Sequence, residues 1–336
     1  MRKFFIWFLL TAIIGLGLIM AVNYIINPKA EFSTSYFQPL VKSARTQKVD
    51  LLSQLEVPPQ IVVFGSSHVM NLDPELITNI TNKTAFNAGV HFVNTDEFLA
   101  LILYMKEDLG FVPEEIYLGL DIDSFHDNRK VDSRLLAEKR LYSKIKKSFL
   151  PPTWISLIGS LTPSYLYDDF RVLYFTLTKY PEKKHHIIEN GFFIRDYVIK
   201  LKANGEFNLT KRIKDAVMIT FENRFIGMGA LDETRKEYFE KFLVVCKENN
   251  IELKLFITPI HRGVIKYFSE HSRYQELLNE TRTYLTDVQS IYPFTWMDFS
   301  LVKNFNGLED GFIDVDHIDD DNADIIVNIL GGKSVI

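Results

Sequence analysis

An uncharged run from Phe4 to Ile26, preceded by Met1-Arg2-Lys3, is the stretch that leaves this chain the fewest options. At 1.5 Å of rise per residue, a helix of that length crosses a hydrocarbon core of about 30 Å. A cleaved signal has a shorter apolar region and a small-residue cleavage site, which Ala21-Val22-Asn23 matches poorly, so the run reads as an uncleaved anchor. The basic pair on the short side keeps that end cytoplasmic. The expected location is therefore the cytoplasmic membrane, single-pass through residues 4–26, with everything after Asn27 extracytoplasmic. Residues 27–57, with Pro28 and few periodic apolar positions, read as a juxtamembrane spacer.

Ile61-Val62-Val63-Phe64 then runs into Gly65-Ser66-Ser67. Four apolar, mostly β-branched residues before a glycine and two hydroxyls predict a buried parallel strand ending in a tight turn. Chemistry in open α/β sheets sits beyond the carboxyl ends of the strands, where a serine is placed to act as a nucleophile. Leu72-Asp73-Pro74-Glu75 opens a helix, with a cap, a proline in the first turn and an acidic residue. Further strands are expected at 84–87, 115–123, 253–258 and 294–299, with helices between them. This rhythm predicts an α/β fold with a doubly wound, parallel five-stranded sheet. Its two parts are 58–128 and 229–336.

Between them, the helical pattern of 129–228 reads as an insertion over the catalytic edge. From Arg129 to Lys214 it holds 18 Lys and Arg against 8 Asp and Glu, which leaves the rest of the chain near −15. With Trp154, many Tyr and Phe, and Lys183-Lys184-His185-His186, this is either a solvated basic face or a surface for anionic lipid or an anionic envelope polymer. An extracytoplasmic domain is not expected to meet nucleic acid. The single cysteine, Cys246, excludes an internal disulfide and falls on the apolar side of a helix.

A serine hydroxyl needs a base to take its proton and a carboxylate to orient that base. Asp314 and His317, three apart in a loop before the last helix, supply both, so Ser67, Asp314 and His317 form a candidate triad. The backbone N–H groups of Ser67 and Gly89 are candidate oxyanion donors. Asn87, Asp121, Asp123, His91 and His261 follow strand ends and are candidate cleft residues; His126 is another. His68, next to Ser67, is expected to point away. Asp121 and Asp123 alternate onto one face of their expected strand, and the spacing matches no strong metal signature, so no metal or other cofactor is expected.

These blocks resemble the SGNH (GDSL-like) hydrolases and acyltransferases. Phe64-Gly65-Ser66-Ser67 stands where that family carries Gly-Asp-Ser, Asn87-Ala88-Gly89 is similar to its second block, and Asp314-Val315-Asp316-His317 to its last. The resemblance implies a flavodoxin-like three-layer sandwich, Ser67 as nucleophile, Gly89 as oxyanion donor, Asp314 as orienter and His317 as base. It further implies an esterase or O-acyltransferase working on an envelope polysaccharide or glycolipid beside a membrane acyltransferase partner. The third block departs from the family: Gly119-Leu120-Asp121-Ile122 has an aspartate where the family's asparagine donates to the oxyanion, and an ionised aspartate only accepts. That departure motivates a second reading, a catalytically inactive SGNH-like partner in an envelope assembly complex. A third takes Asp121-Ile122-Asp123 as the Asp-x-Asp of a metal-dependent glycosyltransferase.

Overall fold

The computed structural model describes residues 1–29, 32, 34, 36–40, 43–126, 133–145, 152–180 and 185–333. Arg129 and the Lys183-Lys184 half of the basic run lie outside the described residues. The chain forms two compact units, Met1–Gln47 with Val131–Glu182, and Lys48–Lys130 with Lys183–Ile336. The stretch read as one insertion over 129–228 is thus divided between them.

The first unit is built on the helix Arg2–Ile26, the one helix among the described residues long and apolar enough to cross a membrane. Its side chains are exposed for most of its length, and burial begins at Asn23 and Ile26. There Asn23 Nδ2 donates to the carbonyl and Oγ of Ser160, both at 2.9 Å, between the helices Pro152–Gly159 and Pro163–Leu177. Asn27 ends the long helix in the left-handed conformation (φ 50°), which asparagine tolerates. Its side-chain amide then donates to the carbonyls of Phe32 (2.7 Å) and Thr34 (3.0 Å), which fixes the turn out of the helix.

The second unit holds a five-stranded, all-parallel sheet. Its strands are β1 (Ile61–Gly65), β2 (Ala85–Asn87), β3 (Glu115–Leu120), β6 (Glu252–Ile257) and β7 (Thr295–Asp298), in the order β2-β1-β3-β6-β7. The short pair β4 (His186–Ile187) and β5 (Phe193–Ile194) is antiparallel and separate. Alternation along β1 sends its side chains to two cores. Ile61 and Val63 pack with Ile77, Ile326 and Val327, from the helices Pro74–Thr81 and Asp320–Leu330. Phe64 meets Phe242 of the helix Glu233–Glu248, and Phe242 meets Phe98 of the helix Thr95–Glu107. With helices on both faces, β1 and β3 are buried along their whole length, which is why Ile61–Phe64 and Ile116–Leu118 read as unbroken apolar runs. Cys246 packs inside this layer, and burial pushes its thiol up to about 12.

β3 is shorter than expected. It ends at Leu120, and Ile122–Phe125 forms a 3₁₀ turn. Asp121 and Asp123 therefore do not alternate on a strand; they lie in the turn beyond its carboxyl end.

Three glycines shape the top of the sheet. A Cβ on Gly119 would stand 2.2 Å from Val69 Cγ1, and one on Gly89 2.6 Å from Val69 Cγ2. One on Gly65, at φ 145°, would stand 2.7 Å from the Gly119 carbonyl and 2.9 Å from Val69. Val69 sits in the socket they leave, and the turn carrying Ser66, Ser67 and His68 is thereby drawn down onto the strand ends.

Candidate active site

Ser67 lies in the turn after β1, where the Val69 N–H donates to the Ser66 carbonyl and the His68 N–H to Ser66 Oγ. Asp314 and His317 belong to a loop closed by the pairing of Phe312 with Ile318. Within it, Asp314 Oδ1 accepts from the N–H groups of Asp316 (3.3 Å) and His317 (3.1 Å), so the loop folds around this carboxylate. Arg212 Nε donates to the Ile313 carbonyl at 2.6 Å and steadies the loop from outside.

The two segments, 250 positions apart, meet at the sheet edge. Ser67 Oγ is 2.8 Å from His317 Nε2, and His317 Nδ1 is 2.8 Å from Asp314 Oδ1. The carboxylates on the Nδ1 side hold a proton there, which leaves Nε2 to accept from the serine hydroxyl. Asp316 Oδ1 also reaches His317 Nδ1, at 2.9 Å. Burial alone would lower the basicity of His317, but Asp314 and Asp316 outweigh it and raise its pKa above the usual 6.5. Burial opposes ionisation of Asp314 as well, yet the charge and hydrogen bond of His317 keep its pKa below the ordinary value.

Beneath this trio lies a buried charged network. His68 Nδ1 meets Asp121 Oδ1 at 2.7 Å, and Thr258 Oγ1 donates to the same oxygen at 2.6 Å. His68 Nε2 lies 3.2 Å from Asp316 Oδ2. Burial works against a charged ring, but Asp121 and Asp316 on its two nitrogens overcome both that and Arg224, raising the His68 pKa to about 9. Arg224 closes the network at the end of the helix Leu209–Arg224: Nε lies 2.8 Å from Asp316 Oδ2, and Nη1 donates to Asp123 at 3.1 Å and Asp121 at 3.4 Å. Its Nη2 faces His68 Nε2 at 3.0 Å, in competition with Asp316 for that nitrogen. The Asp316 contact prevails, because two carboxylates flank this ring and favour its protonated form.

A cleft of about 310 Å³ opens over Ser67, Asp314, Asp316 and His317. His91 and Phe92 line one part of it, and His185, Phe193, Arg195 and Tyr197 another. Ile219, Thr220, Asn223 and Arg224 complete the lining. Phe193 carries His185 stacked on its ring at 4.8 Å, His91 edge-on at 5.7 Å and the Arg195 guanidinium at 5.3 Å. A larger groove of about 640 Å³ beside Lys236, Arg273 and Glu280 has no nucleophile–base pair among its lining residues.

The structure thus brings Ser67, Asp314 and His317 together and sets His91 on the cleft wall. Asp121 and Asp123 lie in the network under the cleft, bound to Arg224. His68 lies there too, its ring 5.2 Å from that of His317. Four other expected positions differ. Gly89 donates its N–H to Asn87 Oδ1 (3.0 Å), so that donor is already engaged, and its close contact is with Val69. Asn87 is a buried brace, its Nδ2 donating to the carbonyls of Val69 and Leu72 while Oδ1 also accepts from Lys48. His261 caps the helix Arg262–His271 by accepting from the Gly263 N–H and packs on Phe312, away from the cleft; His126 is held by the Ile226 carbonyl.

Arg195 had no signal in the sequence beyond its place in the basic stretch, and Arg224, ten positions past the end of that stretch, had none. His68, Asp316 and His317 present three ligand atoms within 4.8 Å of one another, a spacing a metal ion could bridge. The Arg224 guanidinium already stands on both Asp316 and His68, so a cation there would have to displace one. The arrangement fits proton handling better. No protein-family model matches the sequence, and no curated protein matches it significantly.

Proposed function

We propose that this protein is a membrane-anchored, extracytoplasmic serine-nucleophile enzyme of the SGNH type, an esterase or O-acyltransferase acting on a cell-envelope polymer or glycolipid. The observation that carries the reading is the continuous chain from Ser67 Oγ through His317 to Asp314, with both links at 2.8 Å. The strand order β2-β1-β3-β6-β7, with the serine just past the first strand, is in keeping with a flavodoxin-like doubly wound sheet. The helix Arg2–Ile26 would be the anchor.

In the acylation step, Ser67 Oγ attacks the ester carbonyl carbon while its proton passes to His317 Nε2. The carbonyl electron pair moves onto oxygen, and Asp314 offsets the charge gained by the ring. The Ser67 N–H, which has no partner among the described residues, is open to that oxygen. Collapse expels the alcohol, which leaves with the proton from His317, and Ser67 remains acylated. Water or an acceptor hydroxyl then repeats the sequence in reverse.

The glycosyltransferase reading draws no support from the site, since Asp121 and Asp123 are both neutralised by Arg224. The test is covalent labelling of the full chain by a fluorophosphonate. Wild type should be labelled and Ser67→Ala should not; labelling that persists in the variant assigns the nucleophile elsewhere, and an unlabelled wild type favours the non-catalytic partner.

A further inference from the structure

Negative charge developing on a substrate oxygen calls for more than one donor, and the donors near Ser67 are mostly spent. The Gly89 N–H is bonded to Asn87 Oδ1, and both protons of the Asn87 amide are used on Val69 and Leu72. Asp121, at the position where a side-chain amide would serve, is held ionised by His68 and Arg224 and cannot donate. Arg224 gives its Nε and Nη1 to three carboxylates, and its Nη2 is turned to the buried His68 ring.

Arg195 differs from all of these. It lines the same cleft as Ser67 and His317, and its Nη2 donates to the carbonyl of Ser67 itself at 3.2 Å. Among the described residues no carboxylate lies within ion-pair distance of its guanidinium, and that carbonyl is its one hydrogen-bond partner. The face of Phe193 supports the planar group, with its centroid 5.3 Å away, in an arrangement that costs arginine none of its donors. A guanidinium has five N–H donors, so most of them remain for a ligand beside the nucleophile.

We propose that Arg195 is a catalytic residue that receives the developing oxyanion, in the role that an amide side chain fills where one is available. The inference rests on the serine-nucleophile reading above. During attack by Ser67 Oγ, the electron pair displaced onto the carbonyl oxygen is met by N–H groups of Arg195 together with the Ser67 N–H. The pair returns when the leaving group departs, and Arg195 keeps its protons throughout.

The experiment compares the rate of Ser67 labelling by a neutral fluorophosphonate in wild type, Arg195→Gln, Arg195→Lys and Asn223→Ala, each as the full chain in detergent. In labelling, a bond forms from Oγ to phosphorus, fluoride leaves, and the proton goes to His317. Arg195→Gln should slow the rate by about 10²–10³-fold, the usual loss for one oxyanion donor. Arg195→Lys should recover part of it, keeping the charge but not the fork. The unfolding midpoint is read for each variant; if the glutamine variant does not fold, an Arg195→Lys rate equal to wild type overturns the proposal. Equal rates in wild type and Arg195→Gln also overturn it while leaving the nucleophile assignment intact. So does slowing confined to Asn223→Ala. A loss seen with an anionic ester such as mono-p-nitrophenyl succinate but not with p-nitrophenyl acetate makes Arg195 a receptor for substrate charge and overturns it as well. An unlabelled wild type removes both readings together.

Discussion

Arg224 Nε lies 2.8 Å from Asp316 Oδ2, with both side chains buried, and this pair joins a helix end to the loop that carries His317. The same guanidinium neutralises Asp121 and Asp123. Arg224→Met would leave three carboxylates buried with one imidazolium between them. Removing one partner of a buried ion pair costs about 3–5 kcal/mol, and we expect a loss of that order in denaturant unfolding. A variant within about 1 kcal/mol of wild type would show that the carboxylates find water instead.

The pH dependence of activity follows from His317. The ring must be neutral at Nε2 to take the serine proton, and Asp314 and Asp316 raise its pKa above 6.5. Labelling should therefore fall on acidification with a midpoint above 6.5. Asp316→Asn removes one of the two charges on Nδ1 and should move that midpoint down. A midpoint at or below 6.5 in wild type, or none of this movement in the variant, contradicts the arrangement.

Stability should depend on pH in the opposite sense on its alkaline side. His68 is raised to about 9 in the folded chain against 6.5 when unfolded, so folding favours its protonated form. Its contribution, of order a few kcal/mol, is complete below about pH 6.5 and is lost as pH rises through 9. Asp316 and Asp121 are shifted down, burial notwithstanding, by Arg224 and His68 respectively, and their contributions are lost on acidification below the ordinary carboxylate range. The unfolding midpoint should then be highest near pH 4–6.5 and decline towards pH 9. His68→Gln should flatten the alkaline decline, and an unchanged slope would remove His68 as its source.

Gly119→Ala tests the socket. Its Cβ would stand 2.2 Å from Val69 Cγ1, which must move and take the Ser67 turn with it. We expect destabilisation of about 1–3 kcal/mol, typical of overpacking, together with slower labelling of Ser67. Gly119→Ala with Val69→Ala should recover both, because the smaller side chain vacates the contested space. Failure of the double variant to do so would mean that Gly119 serves some other purpose.

Much of this architecture was legible beforehand because it depends on local pattern. Ile61–Phe64 and Glu115–Leu120 are buried on both faces and so lack polar alternation. Asp314-x-x-His317 folds around its own carboxylate, and three residues suffice to show it. The buried network has no local pattern of that kind. Arg195 sits in a stretch rich in basic residues and Arg224 just beyond it, and nothing nearby distinguishes a buried arginine from a solvated one. What draws Arg224 inward is a set of carboxylates over a hundred or ninety positions distant, from turns after β3 and before the last helix. Gly89 shows a related limit: a glycine after a strand reads equally as an N–H donor or as room for a neighbour, and here the neighbour is Val69.

The ring of charges under the cleft also bears on how such a protein can change over generations. His68, Asp121, Asp123, Arg224 and Asp316 come from four separate segments, and each meets an opposite charge among the others. A lineage altering one of them would pass through a form carrying an orphaned ion, so drift at these five positions should occur in compensating sets. Aligned descendants would then keep the whole ensemble or replace it together, while the surrounding basic residues vary one at a time.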